Sequence, residues 1–300
     1  MSIEIGVIEI DDPKYPESLK EALKKLIPSS GPKKLYYKGN WEEDIFSNCL
    51  AVVGSRHLTL YGRRATEQLV TEIAAAGITI VSGFMYGGDE AAHSAAVKCG
   101  GRTIAVMPCG IDLIHPANQK ELYQKILDNN GLIISEYEGE TQPQTFTYVQ
   151  RDRIVAGLSK AVFVTEAALN SGSLITASYA KKFGKKILAL PGQITSEVSK
   201  GTLKLIREGA EAVSEANDIL GFYKVLVSPA KSKLTKSVKS DLTPTGTLEQ
   251  KIVSQLKRES MNADGMARLF AVPVSQLGTT LSLMQLKGII NQDSGKYYIN

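Results

Sequence analysis

The sequence predicts an α/β protein with a doubly wound, mostly parallel sheet and a smaller domain at its C-terminal end. Short apolar runs alternate with helical patterns through the middle of the chain. These runs are continuous rather than alternating, as expected of strands that are covered on both faces. A glycine follows most of the helical patterns, where helices commonly stop. The composition changes after residue 225, which separates the smaller domain.

The apolar runs predict the strands in chain order. They are Leu50–Val53, Ile78–Val81, Thr103–Met107, Leu132–Ser135, Ala161–Thr165, Lys186–Leu190 and Ala212–Val213. The helices between them are Gly62–Ala76, Asp89–Lys98, Asn118–Asn129, Phe146–Leu158, Leu174–Phe183 and Thr202–Glu208. Repeated strand–helix–strand units give parallel strands joined by crossovers, and therefore an extended Rossmann-like sheet over residues 46–225.

The segments on either side of the sheet domain differ from it. Residues 1–45 predict a short extension, with a helix over Lys14–Ile27 and a strand in PKKLYYKGN, that packs on the sheet. Residues 226–246 are rich in Lys, Ser, Thr and Pro, which predicts a flexible basic linker. Residues 247–300 predict a winged helix. Its elements are Leu248–Lys257, Ala263–Phe270, Pro273–Leu286 and a hairpin around Asp293-Ser294-Gly295.

Composition limits the class of protein. Of the 300 residues 43% are hydrophobic and 22% charged, which is ordinary for a globular chain with a sizeable core. No apolar run approaches the roughly 18 residues of a membrane span, so we expect a cytoplasmic protein without a membrane partner. The three cysteines are scattered, which favours neither a disulfide frame nor a zinc site. The net charge of +4 permits nucleic acid as a partner without requiring it.

Small polar residues follow several strands at their carboxyl ends, where doubly wound sheets bind ligands. They include Gly54, Ser55, Ser82, Gly83 and the run from Asn170 to Ser173, while the larger Arg56 follows Ser55. Such residues let a backbone or a phosphate approach closely. The sequence therefore predicts a phosphate-binding edge, in which the single glycine of the first turn is one of several contacts.

Arginines and aromatic residues stand near this edge. Arg151 and Arg153 are alternate residues of a predicted helix and do not share a face, so one can reach a ligand while the other points inward. Arg56 is either a solvated charge or a bidentate phosphate ligand, and its position beside a Gly/Ser turn suits the second role. Phe146 and Tyr148 precede the arginines and can either stack on a base or pack in the core.

Three common enzyme motifs are missing from the sequence. It contains no G-x-G-x-x-G, no Walker A motif and no G-x-S-x-G elbow. Asp89 and His93 are a possible general base with its orienter, although an i,i+4 pair that fixes a helix start is favoured. Glu136 and Glu166 each end a strand, where a catalytic role and a capping or loop-fixing role are about equally expected. Three dispersed histidines predict no metal site, and no cofactor is expected.

Seven linked segments resemble one known family. They are VVGSR…YG, SGFMYGGDEAAH, GGRTIAVMPCGID…HP, GLIISEY, RDRIVAGLS, NSGSLITASYA…FGKKILALPG and GTLKLIREGA. Their order and spacing, over roughly residues 15–220, are similar to the DNA-processing protein A family (DprA, also called Smf) of natural transformation. The resemblance implies a non-enzymatic protein that binds single-stranded DNA, protects incoming strands, forms a homodimer and helps to load the RecA recombinase.

The resemblance also implies which residues bind DNA. They are Gly54, Ser55, Arg56, Ser82, Gly83, Tyr148, Arg151, Arg153, Ser171, Gly172, Ser173 and Thr176. Arg151 and Arg153 would line one pocket, and Tyr148 would stack on a base.

Four positions depart from the family pattern. Asp152 stands where asparagine is usual, and a carboxylate there weakens DNA binding unless it pairs with an arginine. Tyr148 replaces a phenylalanine and keeps the capacity to stack. Tyr86 replaces an arginine, and His115 replaces the tyrosine of a tyrosine–proline pair.

The leading hypothesis is therefore a single-stranded DNA binder whose sheet edge tracks the phosphates. Its predicted recognition helix, Pro273–Leu286, has no basic residue, which favours protein contact or dimerisation over duplex reading. The alternative is a nucleotide-binding or nucleotide-cleaving enzyme of a related Rossmann-like fold, with Asp152 and Glu166 as its carboxylates. An interaction scaffold is the third hypothesis.

Overall fold

The computed structural model describes residues 4–26, 31–224, 247–293 and 295–299. Contacts divide the chain into two compact units, Met1–Val227 and Ser228–Asn300. The predicted linker, residues 226–246, lies outside the described residues, as does Ser294 in the turn of the predicted hairpin.

The first unit is built on a nine-stranded sheet. Its strands are β1 (Gly6–Glu9), β2 (Lys34–Gly39), β3 (Cys49–Val53), β4 (Thr79–Ser82), β5 (Thr103–Gly110), β6 (Leu132–Tyr137), β7 (Ala161–Val164), β8 (Lys186–Ala189) and β9 (Glu211–Ala212). The order is β1-β2-β6-β5-β4-β3-β7-β8-β9. Only the β1–β2 and β2–β6 pairs are antiparallel, so the predicted mostly parallel α/β fold is confirmed.

Helices cover both faces of this sheet. They are α1 (Glu17–Leu23), α2 (Leu60–Ala75), α3 (Gly88–Lys98), α4 (Lys120–Asp128), α5 (Thr145–Leu158), α6 (Ser173–Phe183), α7 (Lys200–Arg207) and α8 (Ala216–Tyr223). The central strand β3 shows why its sequence is continuously apolar. Ala51 and Val53 belong to the core cluster on one face, and Leu50 and Val52 to the cluster on the other.

The N-terminal extension joins the sheet rather than lying over it. The β2 strand pairs with β6, and β1 adds one further antiparallel strand at the edge. The helix α1 is shorter than predicted and packs against α5, where Leu19 fills the space beside Gly157. The strand β1 and the helix α8 were not predicted from the sequence.

The second unit contains the elements that were predicted for it. They are α9 (Thr247–Leu256), α10 (Ala263–Phe270), α11 (Val274–Leu286) and an antiparallel hairpin of β10 (Ile290–Asp293) and β11 (Lys296–Ile299). Asn262 caps α10 as expected, because its side-chain oxygen accepts from the Gly265 amide at 2.8 Å. Ile252, Met266 and Leu281 are fully buried in its core.

None of the described helices is by itself long and apolar enough to cross a membrane. The helices α10 and α11 meet that criterion of length and composition only as a pair, which is bent by 117° at its break.

Candidate functional site

A cavity of about 630 Å³ opens at the carboxyl ends of β3 and β7. The strand β3 pairs with β4 on one side and with β7 on the other, so the chain crosses in opposite directions at this point and leaves a crevice. The lining comes from the loop after β3, from α5 and from the start of α6. All the site residues predicted from the sequence line this cavity except Ser82 and Arg153.

The loop after β3 is fixed through its backbone. The Ser55 amide donates to the Glu166 carbonyl at 2.7 Å, and the Ser55 carbonyl accepts from the Gly88 amide at 3.0 Å. A Cβ at Gly54 would overlap the Thr165 hydroxyl, so this position needs glycine because two chain segments approach closely. Arg56, the next residue but one, is exposed and lines the cavity. A rigid turn thus carries an accessible guanidinium at the cavity rim.

Tyr148 lies beside this arginine. The Arg56 guanidinium carbon is 5.2 Å from the centre of the Tyr148 ring, within cation–π range. The Tyr148 hydroxyl and the Nε2 atom of His115 are joined by a hydrogen bond of 2.7 Å. Burial, reinforced by Arg56, lowers the pKa of His115. A neutral imidazole therefore holds the outer end of the aromatic ring, a contact that the sequence did not predict.

Arg151 lies on the cavity floor and is only 5% exposed. Its Nη1 atom donates to the Val106 carbonyl of β5 at 2.8 Å. Its Nε atom is 3.2 Å from Oδ1 of Asp152. A Cβ at Gly83 would overlap the guanidinium, so the missing side chain is what makes room for it. The β4 loop and the β5 backbone thus hold Arg151 in one position.

Asp152 also lines the cavity, and its side chain is 14% exposed. Burial raises the pKa of this carboxyl to about 7; Arg151 opposes the shift and Asp89 adds to it. The Thr176 hydroxyl donates to the carboxylate and stabilises the charged form. Asp152 therefore pairs with Arg151. Such a pair is the condition under which a carboxylate at this position is compatible with DNA binding.

The start of α6 closes the other wall. Ser171 and Ser173 share a hydrogen bond of 2.8 Å between their hydroxyls, and the Ser173 amide donates weakly to Ser171 at 3.4 Å. A Cβ at Gly172 would meet nothing within 4 Å, so the backbone there is open to a ligand. The first turn of an 11-residue helix presents the positive end of its dipole, which favours an anion.

Two predicted site residues lie elsewhere. The Ser82 hydroxyl donates to the Val52 carbonyl at 2.6 Å and is fully buried inside the sheet. Arg153 is buried on another side of α5, where its Nη2 atom is 2.7 Å from both carboxylate oxygens of Glu136. The prediction that both arginines line one pocket is wrong for Arg153, because residues two apart on a helix face different neighbours.

Other candidate groups have structural partners. The Asp89 carboxylate accepts from the Met85 amide at 3.2 Å at the start of α3. His93 instead meets the Thr103 hydroxyl at 2.7 Å, and burial lowers its pKa to about 3. The Glu166 carboxylate accepts from the amide and the hydroxyl of Thr59, the residue before α2. Within the described residues, no three His, Cys, Asp or Glu side chains form a group that could hold a metal ion.

The chain is similar to known proteins over most of its length. The family model for DNA recombination-mediator protein A matches residues 6–224. The Smf protein of Synechocystis is 32% identical in an alignment 318 positions long, with 96% of this chain and 78% of that protein covered. The DNA processing protein DprA of Streptococcus pneumoniae is 40% identical over 193 residues, which cover 64% of this chain and 67% of that protein.

Solved structures agree with the sequence comparisons. DNA processing protein A from Streptococcus pneumoniae has a TM-score of 0.66 at 37% identity, with 73% of this chain and 74% of that chain covered. DNA processing protein A from Helicobacter pylori, whose structure concerns its single-stranded DNA binding mode, has a TM-score of 0.63 at 31% identity, with 74% and 97% covered. The chain therefore belongs to the family of DNA recombination-mediator protein A, the DprA/Smf proteins.

Proposed function

We propose that this chain binds single-stranded DNA in the cytoplasm, as a DNA-processing protein of natural transformation and recombination. The observation that carries the proposal is the composition of the cavity at the β3–β7 crevice. An exposed guanidinium, an aromatic ring and a helix N-terminus lie around one opening. A strand of nucleic acid offers a phosphate for the first and third of these and a base for the second.

Arg56 and Tyr148 would act together. The guanidinium now lies over the ring at 5.2 Å, where a stacked base would also lie. An entering base takes the ring face, and the guanidinium turns outward to a phosphate oxygen. Both contacts tolerate any sequence, because every nucleotide has a phosphate and a π face.

The binding experiment uses a fluorescein-labelled single strand of mixed sequence and its duplex, measured by anisotropy across a salt series. We expect tighter binding of the single strand, a negative slope of log affinity against log salt, and about a tenfold loss in Arg56→Ala. Arg207→Ala is the matched control, since Arg207 is an exposed arginine in the last turn of α7, outside the cavity lining. If the wild type binds no strand at low salt, the proposal fails.

The proposal includes a homodimer and delivery of the bound strand to the RecA recombinase. Both are implied by the family resemblance. Analytical ultracentrifugation across a concentration series tests the dimer. Co-sedimentation with purified RecA, with and without single-stranded DNA, tests the second partner. A monomer at all concentrations would remove the dimer from the proposal, and no co-sedimentation in either condition would remove RecA.

We propose a binding protein rather than a nucleotide-cleaving enzyme. Glu166, one of the two carboxylates considered for catalysis, accepts two hydrogen bonds from Thr59 at the start of α2. Asp152 has a pKa of about 7, a value that general acid–base chemistry could use. Free nucleotides are therefore incubated with the wild type and with Asp152→Asn. We expect no turnover; turnover that Asp152→Asn abolishes would favour the enzyme.

A further inference from the structure

The cavity is divided by charge into a positive rim and an acidic floor. Arg56 and the N-terminus of α6 provide the rim. The floor holds one guanidinium, that of Arg151, and two carboxyls, those of Asp89 and Asp152, whose pKa values burial raises against the lowering effect of Arg151. A phosphate is attracted to the rim and repelled from the floor whenever both carboxyls are ionised.

The Arg151 guanidinium on the cavity floor already contacts other protein groups. Its Nη1 atom donates to the Val106 carbonyl, its Nε atom is 3.2 Å from Asp152, and the Gly83 backbone packs against it. A phosphate that reached this arginine would also meet the Asp152 carboxylate, which lies 3.2 Å from its Nε atom. The floor is therefore built for an uncharged group of the ligand.

The Asp152 carboxylate can accept a hydrogen bond from an uncharged group of the ligand. A carboxylate has about four lone-pair sites, and within the described residues the contacts at Asp152 are the Arg151 Nε atom and the Thr176 hydroxyl. Its side chain keeps 14% of its surface exposed and lines the cavity. An N–H group of a bound molecule can donate to the remaining lone pairs.

Asp152 is also placed to meet the edge of a stacked base. Tyr148 and Asp152 are four residues apart on α5, so they lie on one face about one turn apart. Both line a cavity whose volume is in the range of small-ligand sites. A base that stacks on the Tyr148 ring would occupy the cavity that the carboxylate also lines.

We propose that Asp152 is a specificity residue that accepts a hydrogen bond from the amino group of an inserted nucleobase, while the phosphates remain at the rim. This inference rests on the proposed function and names the preferred ligand of that same site. Cytosine and adenine present an amino group, and guanine presents an amino and an imino N–H side by side. Thymine presents one N–H between two carbonyl oxygens, which the carboxylate repels, and is bound most weakly.

The test compares oligomers of deoxycytidine and deoxyuridine of equal length by fluorescence anisotropy. These bases have the same ring size, and cytosine has an amino group where uracil has a carbonyl. The measurement is made at pH 8.5, because the pKa of Asp152 is about 7 and its carboxylate is then ionised. The wild type is expected to bind the cytidine strand about tenfold more tightly. A thymidine strand is expected to behave like the uridine strand.

Asp152→Asn separates this role from a structural one. An amide offers a donor as well as an acceptor, so the preference should fall to about twofold or less as uridine binding improves. Asp112→Asn is the control, because Asp112 pairs with Lys38 outside this cavity, and its preference should match the wild type.

The outcomes distinguish this inference from the proposed function. If a mixed-sequence strand binds but the wild type does not distinguish cytidine from uridine, the inference is wrong and the proposed function stands. A wild-type preference that persists in Asp152→Asn also overturns it. If no strand binds the wild type, the proposed function fails first. The wild-type comparison needs no variant, so it holds even if Asp152→Asn does not fold.

Discussion

Two sides of one helix, α5, show how little charge alone says about a binding role. Arg151 and Arg153 are both buried and both pair with a carboxylate. On the Arg151 side the pair lines a cavity; the Asp152 side chain is 14% exposed and that of Glu136 20%, so the cavity and not exposure separates the two pairs. On the Arg153 side the ion pair with Glu136 lies near buried Tyr15, whose pKa burial raises, and away from the cavity.

The difference follows from what packs on each side. The Arg153 side belongs to the region covered by the N-terminal extension, where α1 packs on α5 and closes the core. On the Arg151 side, residues of α5 line the crevice together with the loops after β3, β4 and β7, and Gly83 of the β4 loop packs against the guanidinium. A charged residue is a candidate for ligand binding when it lines a cavity that a ligand can enter. The following predictions test that distinction.

Removing Arg153 should cause the largest loss of stability. Arg153→Ala leaves the Glu136 carboxylate without the guanidinium that now contacts both its oxygens, and we expect a loss of about 3 kcal/mol in the free energy of unfolding. Urea denaturation measures it. Arg63→Ala is the control, because its pair with Glu67 is exposed and 3.9 Å long and should contribute less than about 0.5 kcal/mol. Equal losses in the two variants would contradict the structural role of Arg153.

Asp152 should make the stability of the protein depend on pH. The pKa of Asp152 is about 7 in the folded state and about 3.8 in the unfolded chain. At pH values between these two, the folded state binds the proton more tightly than the unfolded state does. Stability from this group is present at low pH and is lost as pH rises toward 7. Between pH 5 and pH 8 the wild type should therefore lose about 2 kcal/mol of unfolding free energy through this group. Asp152→Asn has no carboxyl at this position and should not show that loss.

Urea titrations of both proteins at the two pH values measure this loss. Asp89, whose pKa burial also raises, adds to the pKa shift of Asp152, so the difference between the two proteins reports Asp152 together with its coupling to Asp89. Parallel pH profiles would mean that the carboxyl has an ordinary pKa.

Gly83 tests whether Arg151 is held in one place. In Gly83→Ala the added methyl group overlaps the Arg151 guanidinium, which must then move away from the Val106 carbonyl. We expect a loss of about 2 kcal/mol in the free energy of unfolding. Gly221→Ala is the matched control, because nothing lies within 4 Å of its Cβ and it is in α8. That variant should be as stable as the wild type or more stable, by up to about 1 kcal/mol. A neutral Gly83→Ala would show that Arg151 moves freely.

The sequence predicted the sheet and the edge of the site because both depend on local patterns. Continuous apolar runs placed the strands, and the residues after them fell at the carboxyl edge. The short edge strand β1 was not predicted, because its four residues include only one buried position and so show no clear hydrophobic pattern. Ser82 and Arg153 were misplaced because their direction depends on the packing of β3 and α1. The contact between His115 and Tyr148 joins residues 33 apart and has no local signal.

Arg56 should show the opposite behaviour to Arg153. It is exposed, and its described contact is the cation–π approach to Tyr148, which contributes about 0.5–1 kcal/mol at such sites. Arg56→Ala should therefore change the unfolding free energy by less than about 1 kcal/mol while it weakens single-strand binding about tenfold. Urea denaturation and anisotropy on one preparation measure both. A variant that loses stability in proportion to binding would place Arg56 with Arg153, as a structural residue. Binding loss without destabilisation would set the open side of α5 apart as the side that meets the ligand.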